Sequence, residues 1–175
     1  MKQDKVDLTP CKLTIENSQK ILPLFVAPTK MESLLTALVT RSTILEYIPQ
    51  REPICLVHSI YECSNTFVKT GFVVEPNNYF THNGFIIEAG IIENMAQSVA
   101  AQAGYLLKQK NEAPKVGFIG QIKDLIIHSI PALNSEIITE IKLKNMVMNV
   151  TIISAASFCN NKPVANCEMK VFIQQ

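Results

Sequence analysis

Net charge is what this sequence has least of. Sixteen Lys and Arg stand against fifteen Asp and Glu, which leaves +1 over 175 residues. Such a balance gives no strong field for a polyanion, so no nucleic-acid partner is expected. Cys-x-x-Cys spacing is absent as well. The five cysteines, Cys11, Cys55, Cys63, Cys159 and Cys167, are scattered and have no paired His beside them, so no metal site is expected. An odd count of scattered cysteines suggests reduced, mostly buried thiols and a cytoplasmic location. No apolar run is long enough to span a bilayer. Met1 to Lys20 lacks the apolar core of a signal peptide. Internal repeats and low-complexity tracts are missing too.

What is present is a core. Hydrophobic residues make up 47% of the chain and charged residues 18%, a globular composition. The length fits one domain that buries its core without metal or disulfide help. Residues 1–30, interrupted by Pro10, Pro23 and Pro28, read as an N-terminal extension of unknown role. Short extended pieces are expected there at Lys12–Ile15 and Ile21–Ala27. Residues 31–175 read as a single domain.

Within that domain, Met31–Val39 places Leu34, Leu35 and Leu38 on one helical face. Ser42-Thr43 reads as an N-cap ahead of a short helix, Ile44–Ile48, stopped by Pro49. Strands are expected at Ile54–Cys63 and Thr66–Glu75, joined as a hairpin by Ser64-Asn65. A polar loop follows, from Pro76 through His82 to Gly84. Glu88–Lys110 then reads as a long helix, apolar nearly all round and rich in Ala and Gly. Such a helix is a core helix whose small faces admit close neighbours. Strands are expected again at Val116–Ile127, Glu136–Lys144, Met146–Phe158 and Val164–Ile173, with a turn at Asn160–Pro163. That order predicts an α+β fold with an antiparallel sheet and one helix packed on a face of it.

Two stretches carry a family resemblance. Ile48-Pro49-Gln50-Arg51-Glu52-Pro53-Ile54-Cys55-Leu56-Val57 resembles the Leu-Pro-His-Arg-x-Pro-x-Leu-Leu-Val opening of the β-hydroxyacyl-acyl-carrier-protein dehydratases. Glu93-Asn94-Met95-Ala96-Gln97 resembles their Glu-Ala-Met-Ala-Gln signature. Ala100-Ala101-Gln102-Ala103-Gly104 and Pro114-Lys115-Val116-Gly117-Phe118 resemble the branch associated with aryl polyene and flexirubin-type pigment synthesis. The resemblance implies a hotdog fold, a curled antiparallel sheet wrapped round one central helix. It implies dehydration of a 3-hydroxyacyl thioester, linked to acyl carrier protein or coenzyme A, to the 2-enoyl thioester. No cofactor is implied. A homodimer is expected, with higher or hetero-oligomers open. Two alternatives stand beside this activity. One is a catalytically diverged subunit that binds acyl chains or stabilises an active partner, and the other is an acyl thioesterase.

The chemistry needs a base beside the thioester carbonyl, an acid for the leaving hydroxyl, and donors for the developing oxyanion. Glu93 matches the family's helix carboxylate, although a core carboxylate bonded to Gln97 one turn along is the structural alternative. His82 is the only His in the loop before the helix and is the candidate for the family His. The family's Gly-His-Phe-Pro-Gly is absent, and an ungapped count back from Glu93 reaches Tyr79. Gly90, Glu88, Gln97 and Phe118 are the candidate substrate-binding residues. For Gly90, a backbone N–H toward the thioester and simple close packing stand equal. His58, in phase with a strand, reads as structural, and His128, near a strand end, reads as having no special role. Arg51 reads as a surface or ion-pair residue, with a carboxylate near the site entrance or a carrier-protein phosphate as its alternative partners.

Overall fold

The computed structural model describes residues 36–112, 117–148 and 150–173. The expected extended pieces before residue 30 lie outside that range. Of the expected helix at Met31–Val39, only Thr36–Val39 are described, and these are not helical. Val39 instead bridges to Ile60, whose carbonyl accepts N–H bonds from Leu38 and Val39. The short helix after Ser42-Thr43 is a single 3-10 turn, Ile44–Glu46, and Thr43 gives it no side-chain cap.

Eight strands and one α-helix follow. They are β1 (Ser59–Cys63), β2 (Phe67–Val73), β3 (Thr81–His82), β4 (Phe85–Ile86), α1 (Glu88–Gln109), β5 (Gly117–Ile127), β6 (Glu136–Val147), β7 (Val150–Cys159) and β8 (Lys162–Ile173). Six of them form one antiparallel sheet in the order β1-β2-β6-β7-β8-β5. Along β7, Thr151, Ile153, Ala155, Ser157 and Cys159 are buried and their neighbours half-buried, as a strand with one face on a core requires. β3 and β4 close over Asn83-Gly84, both at positive φ (50° and 82°). Two such residues are what a type I′ hairpin turn demands.

The helix departs from the apolar rod expected of it. Its buried face is Gly90, Ile91, Asn94, Met95, Gln97, Ser98 and Ala101, whereas Ile92, Ala96, Val99, Ala103 and Leu106 are half-buried. Polar side chains thus point into the fold. The reason lies in the segment before β1. The expected strand from Ile54 begins only at Ser59, because Ile54 and Leu56 pair with helix side chains rather than with a strand. The Leu56 N–H donates to Gln97 Oε1 at 2.7 Å, and its carbonyl accepts from Asn94 Nδ2 at 2.6 Å. The Ile54 carbonyl accepts from Gln97 Nε2 at 2.8 Å. The amides do the work of a neighbouring strand, so the buried backbone stays bonded.

Close approach occurs at the other end of the helix. A Cβ on Gly104 would lie 1.8 Å from the Tyr47 carbonyl oxygen. Backbone cannot yield as a side chain can, so Gly104→Ala must push the 3-10 turn off the helix. A loss of roughly 1–3 kcal/mol is expected, read as a lowered urea midpoint with an unchanged m-value.

Candidate active site at the start of the central helix

Glu93 sits half-buried on α1, and its Oε1 accepts a hydrogen bond of 2.9 Å from Gln97 Nε2. The two are one helical turn apart, the spacing at which side chains meet. Gln97 is fully committed: its Nε2 serves Glu93 and the Ile54 carbonyl, and its Oε1 takes the Leu56 N–H. It therefore orients the carboxylate from a fixed position, and no donor is left over for a substrate.

Behind Glu93 lies a polar core. The Thr139 hydroxyl donates to Asn94 Oδ1 at 2.6 Å and lies 2.8 Å from the Ser157 hydroxyl. Thr139 has one proton and gives it to Asn94, so Ser157 must donate to Thr139. Likewise Ser98 donates to the Asn94 carbonyl at 2.7 Å, so Thr70, 2.7 Å away, must donate to Ser98. Asn94, Ser98, Thr70, Thr139 and Ser157 are all fully buried. A satisfied buried network of this kind holds one geometry.

The loop ahead of the helix is pinned to the same segment. Asn78, buried, donates from Nδ2 to the Cys55 carbonyl at 2.9 Å and accepts the Phe80 N–H at Oδ1. The Tyr79 N–H donates to the Pro53 carbonyl at 2.9 Å. Pro53 is chain neighbour to Ile54, so Tyr79 and the Gln97–Glu93 pair share one short support. The Tyr79 side chain is 67% exposed. His82 lies in the β3–β4 hairpin opposite Phe85, exposed and without a side-chain hydrogen bond among the described residues. Gly90 is buried under Phe80 and Ile86, and its N–H is donated to the Ile87 carbonyl at 2.9 Å. That geometry matches close packing. Glu88 is the exposed first residue of α1, where a negative charge suits the helix dipole. Phe118 is on β5, paired with Phe172 of β8, and is 59% exposed. The structure thus brings Glu93, Gln97 and the Tyr79 loop together. Asn94, Asn78 and Thr139 went unweighed in the sequence because their partners are 23 to 45 residues away.

A second cluster lies at the base of that loop. Ligand atoms of Glu52, His58 and Glu75 fall within 4.8 Å of one another. The composition suits a cation, but the protons do not. Arg41 already binds Glu75 through both guanidinium nitrogens and lies 3.8 Å from Glu52. His58 Nδ1 accepts the Val73 N–H at 3.3 Å. That fixes the neutral ring proton on Nε2, the atom a metal would need bare. His58 instead completes β2 where β1 has ended.

Burial, aided by Arg41 and opposed by Glu75, pushes the His58 pKa down to about 4. A folded value below the unfolded one means the unfolded chain binds the proton better. The stabilisation is complete above about pH 6.5 and is lost as pH falls toward about 4. The shift corresponds to about 3 kcal/mol. Urea titrations across that window should show this loss, and His58→Asn, which keeps an acceptor for Val73, should remove most of it.

Cys55, Cys63 and Cys167 are free thiols, and burial pushes the last two up to about 11, far from nucleophilic at neutral pH. Cys159 is buried at the end of β7. Among the described residues no helix is long and apolar enough to cross a membrane.

Solved structures share the fold. The dehydratase heterocomplex ApeI:P from Xenorhabdus doucetiae matches with a TM-score of 0.69 at 15% identity, covering 75% of this chain and 91% of that one. Cj0977, a sigma28-regulated virulence protein from Campylobacter jejuni, matches at 0.59 with 11% identity, covering 77% and 90%. A hypothetical thioesterase with coenzyme A from Streptococcus pneumoniae TIGR4 matches at 0.53 with 11% identity, covering 66% and 86%. No curated protein matches in sequence. The long helix on a curled antiparallel sheet is the hotdog fold. The family model of the ApeP dehydratases matches residues 42–175, and the chain belongs to that ApeP-like, aryl polyene branch of the hotdog dehydratases.

Proposed function

We propose that the chain acts on a 3-hydroxyacyl thioester carried by acyl carrier protein and removes water to give the 2-enoyl thioester. The observation that carries this reading is Glu93, a carboxylate on the core helix held at one oxygen by Gln97. Its other oxygen is left for a proton in transit. His82, on the hairpin next to the helix, is the second acid/base candidate. The exposed helix N-terminus offers partial positive charge for the carbonyl oxygen. The unit of function is a pair of subunits, since Ile92, Ala96, Val99 and Leu106 are left half-buried on one chain.

The reaction needs no cofactor. The proton at C2 leaves to a base, the C3–O bond breaks, and the departing hydroxide takes a proton to leave as water. One carboxylate with a His suffices to carry both protons.

One observation favours a second reading, a diverged subunit that holds acyl chains or supports an active partner: His82 is exposed and has no side-chain hydrogen bond among the described residues to orient it. Incubation of the purified chain with 3-hydroxyacyl thioesters of graded length separates the readings. A 2-enoyl product supports dehydration. Free acid and thiol would replace it with hydrolysis. Neither product at any length would favour the diverged subunit.

A further inference from the structure

Positive φ is costly for a residue with a Cβ, and Asn and Asp bear it best. Among the described residues the chain follows that rule at Asn83, Asn111, Asp124, Asn134, Asn160 and Asn161. Met148 breaks it. It follows β6 at φ 55° and is 94% exposed. Folding gains no burial from this side chain and carries its backbone strain. An outlier of that kind points to a use outside the fold.

Met148 belongs to an apolar end of the sheet. Met146 and Val147 beside it are 58% and 54% exposed. Val147, Val150, Phe172 and Phe118 are successive cross-strand partners on β6, β7, β8 and β5. Phe172 and Phe118 are 39% and 59% exposed. Contiguous exposed apolar surface marks a protein or membrane contact.

Charge at this end has one sign. Its segments, 117–123, 144–152 and 169–173, contain Lys123, Lys144 and Lys170 and no Asp or Glu. Sixteen cations and fifteen anions in the whole chain do not predict such a grouping. Asp124 and Glu168 border these segments on the side away from Met148, since Glu168 pairs with Lys123 further along β5 than Phe118. The Lys144 ammonium donates to Glu168 at 2.8 Å and holds its carboxyl below the usual range, and Lys123 and Lys170 act in the same sense. The three lysines thus converge behind the apolar tip.

We infer that this end of the sheet seats on the surface of an anionic lipid bilayer. Met148 and Val147 enter the acyl boundary, and Lys123, Lys144 and Lys170 meet the headgroups. Apolar area and attraction to anionic lipid add in such binding. Long lysine stems let the charge stay at the headgroups while the tip inserts. A protein partner fits less well. Protein interfaces enrich Arg and deplete Lys, and the three segments contain no Arg. The inference does not depend on the proposed chemistry.

Vesicle sedimentation tests it. The unaltered chain should pellet with vesicles of equal parts phosphatidylcholine and phosphatidylglycerol. It should stay in solution with phosphatidylcholine alone, and added salt should release it. Lys123→Gln and Lys170→Gln should each weaken binding about fivefold. Met148→Asn should weaken it roughly tenfold. That substitution suits the positive φ, so its urea midpoint should not fall. Lost binding with retained stability separates a membrane seat from a structural role. No pelleting with the mixed vesicles would overturn the inference, and so would equal binding to phosphatidylcholine alone. Met148→Asn that binds as well as the unaltered chain would overturn it too. A lower sedimenting mass for Met148→Asn, with vesicle binding unchanged, would assign the tip to a second copy instead.

Discussion

Glu93→Gln should lower kcat/KM for dehydration of a 3-hydroxyacyl thioester by about 10²–10⁴, the usual contribution of one positioned acid/base group. The substitution keeps the side chain's length and leaves an oxygen to accept from Gln97 Nε2. Folding should therefore be unchanged, and the loss should appear in kcat rather than in KM. The measurement is a steady-state assay at several substrate concentrations, with thermal unfolding run beside it. A Glu93→Gln variant as active as the unaltered chain would make the carboxylate a core group and nothing more.

Asn94→Leu should cost roughly 2–6 kcal/mol, because it strips partners from two groups at once, each worth about 1–3 kcal/mol when buried and unbonded. The Leu56 carbonyl loses its donor and the Thr139 hydroxyl its acceptor. Both Leu56 and Thr139 are fully buried, so water cannot replace either bond. Volume is nearly conserved, so the loss is polar, not steric. Coupling provides a sharper check. In Asn94→Leu with Thr139→Val, the unmet hydroxyl is gone, so the pair should cost less than the sum of the single changes. Additive losses in urea unfolding would mean the hydroxyl chain from Ser157 to Asn94 is not one network.

Much of the fold was legible. The strand-forming runs of β6 and β7, the turn between β1 and β2, and the long run of helix-forming residues all report local geometry. The two motifs around Pro49 and Glu93 located the family and the carboxylate, and the spacing of Glu93 and Gln97 anticipated their bond. What could not be read was long-range. Residues 54–57 look like a strand because they are apolar and extended. Whether an extended segment pairs with a strand or with two amides on a helix is decided some forty residues away. The inward turn of Asn94, Gln97 and Ser98 was hidden for the same reason. A helical wheel places the apolar side inside, and here the apolar side is half-buried instead. The end of β1 gave no local warning either, since it is His58, not a further strand residue, that accepts the Val73 N–H.

Hydrogen exchange at C2 tests the central claim most directly, because it follows the proton at the bond that Glu93 is proposed to serve. A 3-hydroxyacyl thioester on its carrier protein is incubated with the chain in deuterium oxide, recovered, and examined by mass spectrometry for label at C2. Reversible loss and return of water through Glu93 predicts label at C2 with the unaltered chain and with His58→Asn, and none above background with Glu93→Gln. Label entering at the same rate with Glu93→Gln, or no label with the unaltered chain, would contradict it.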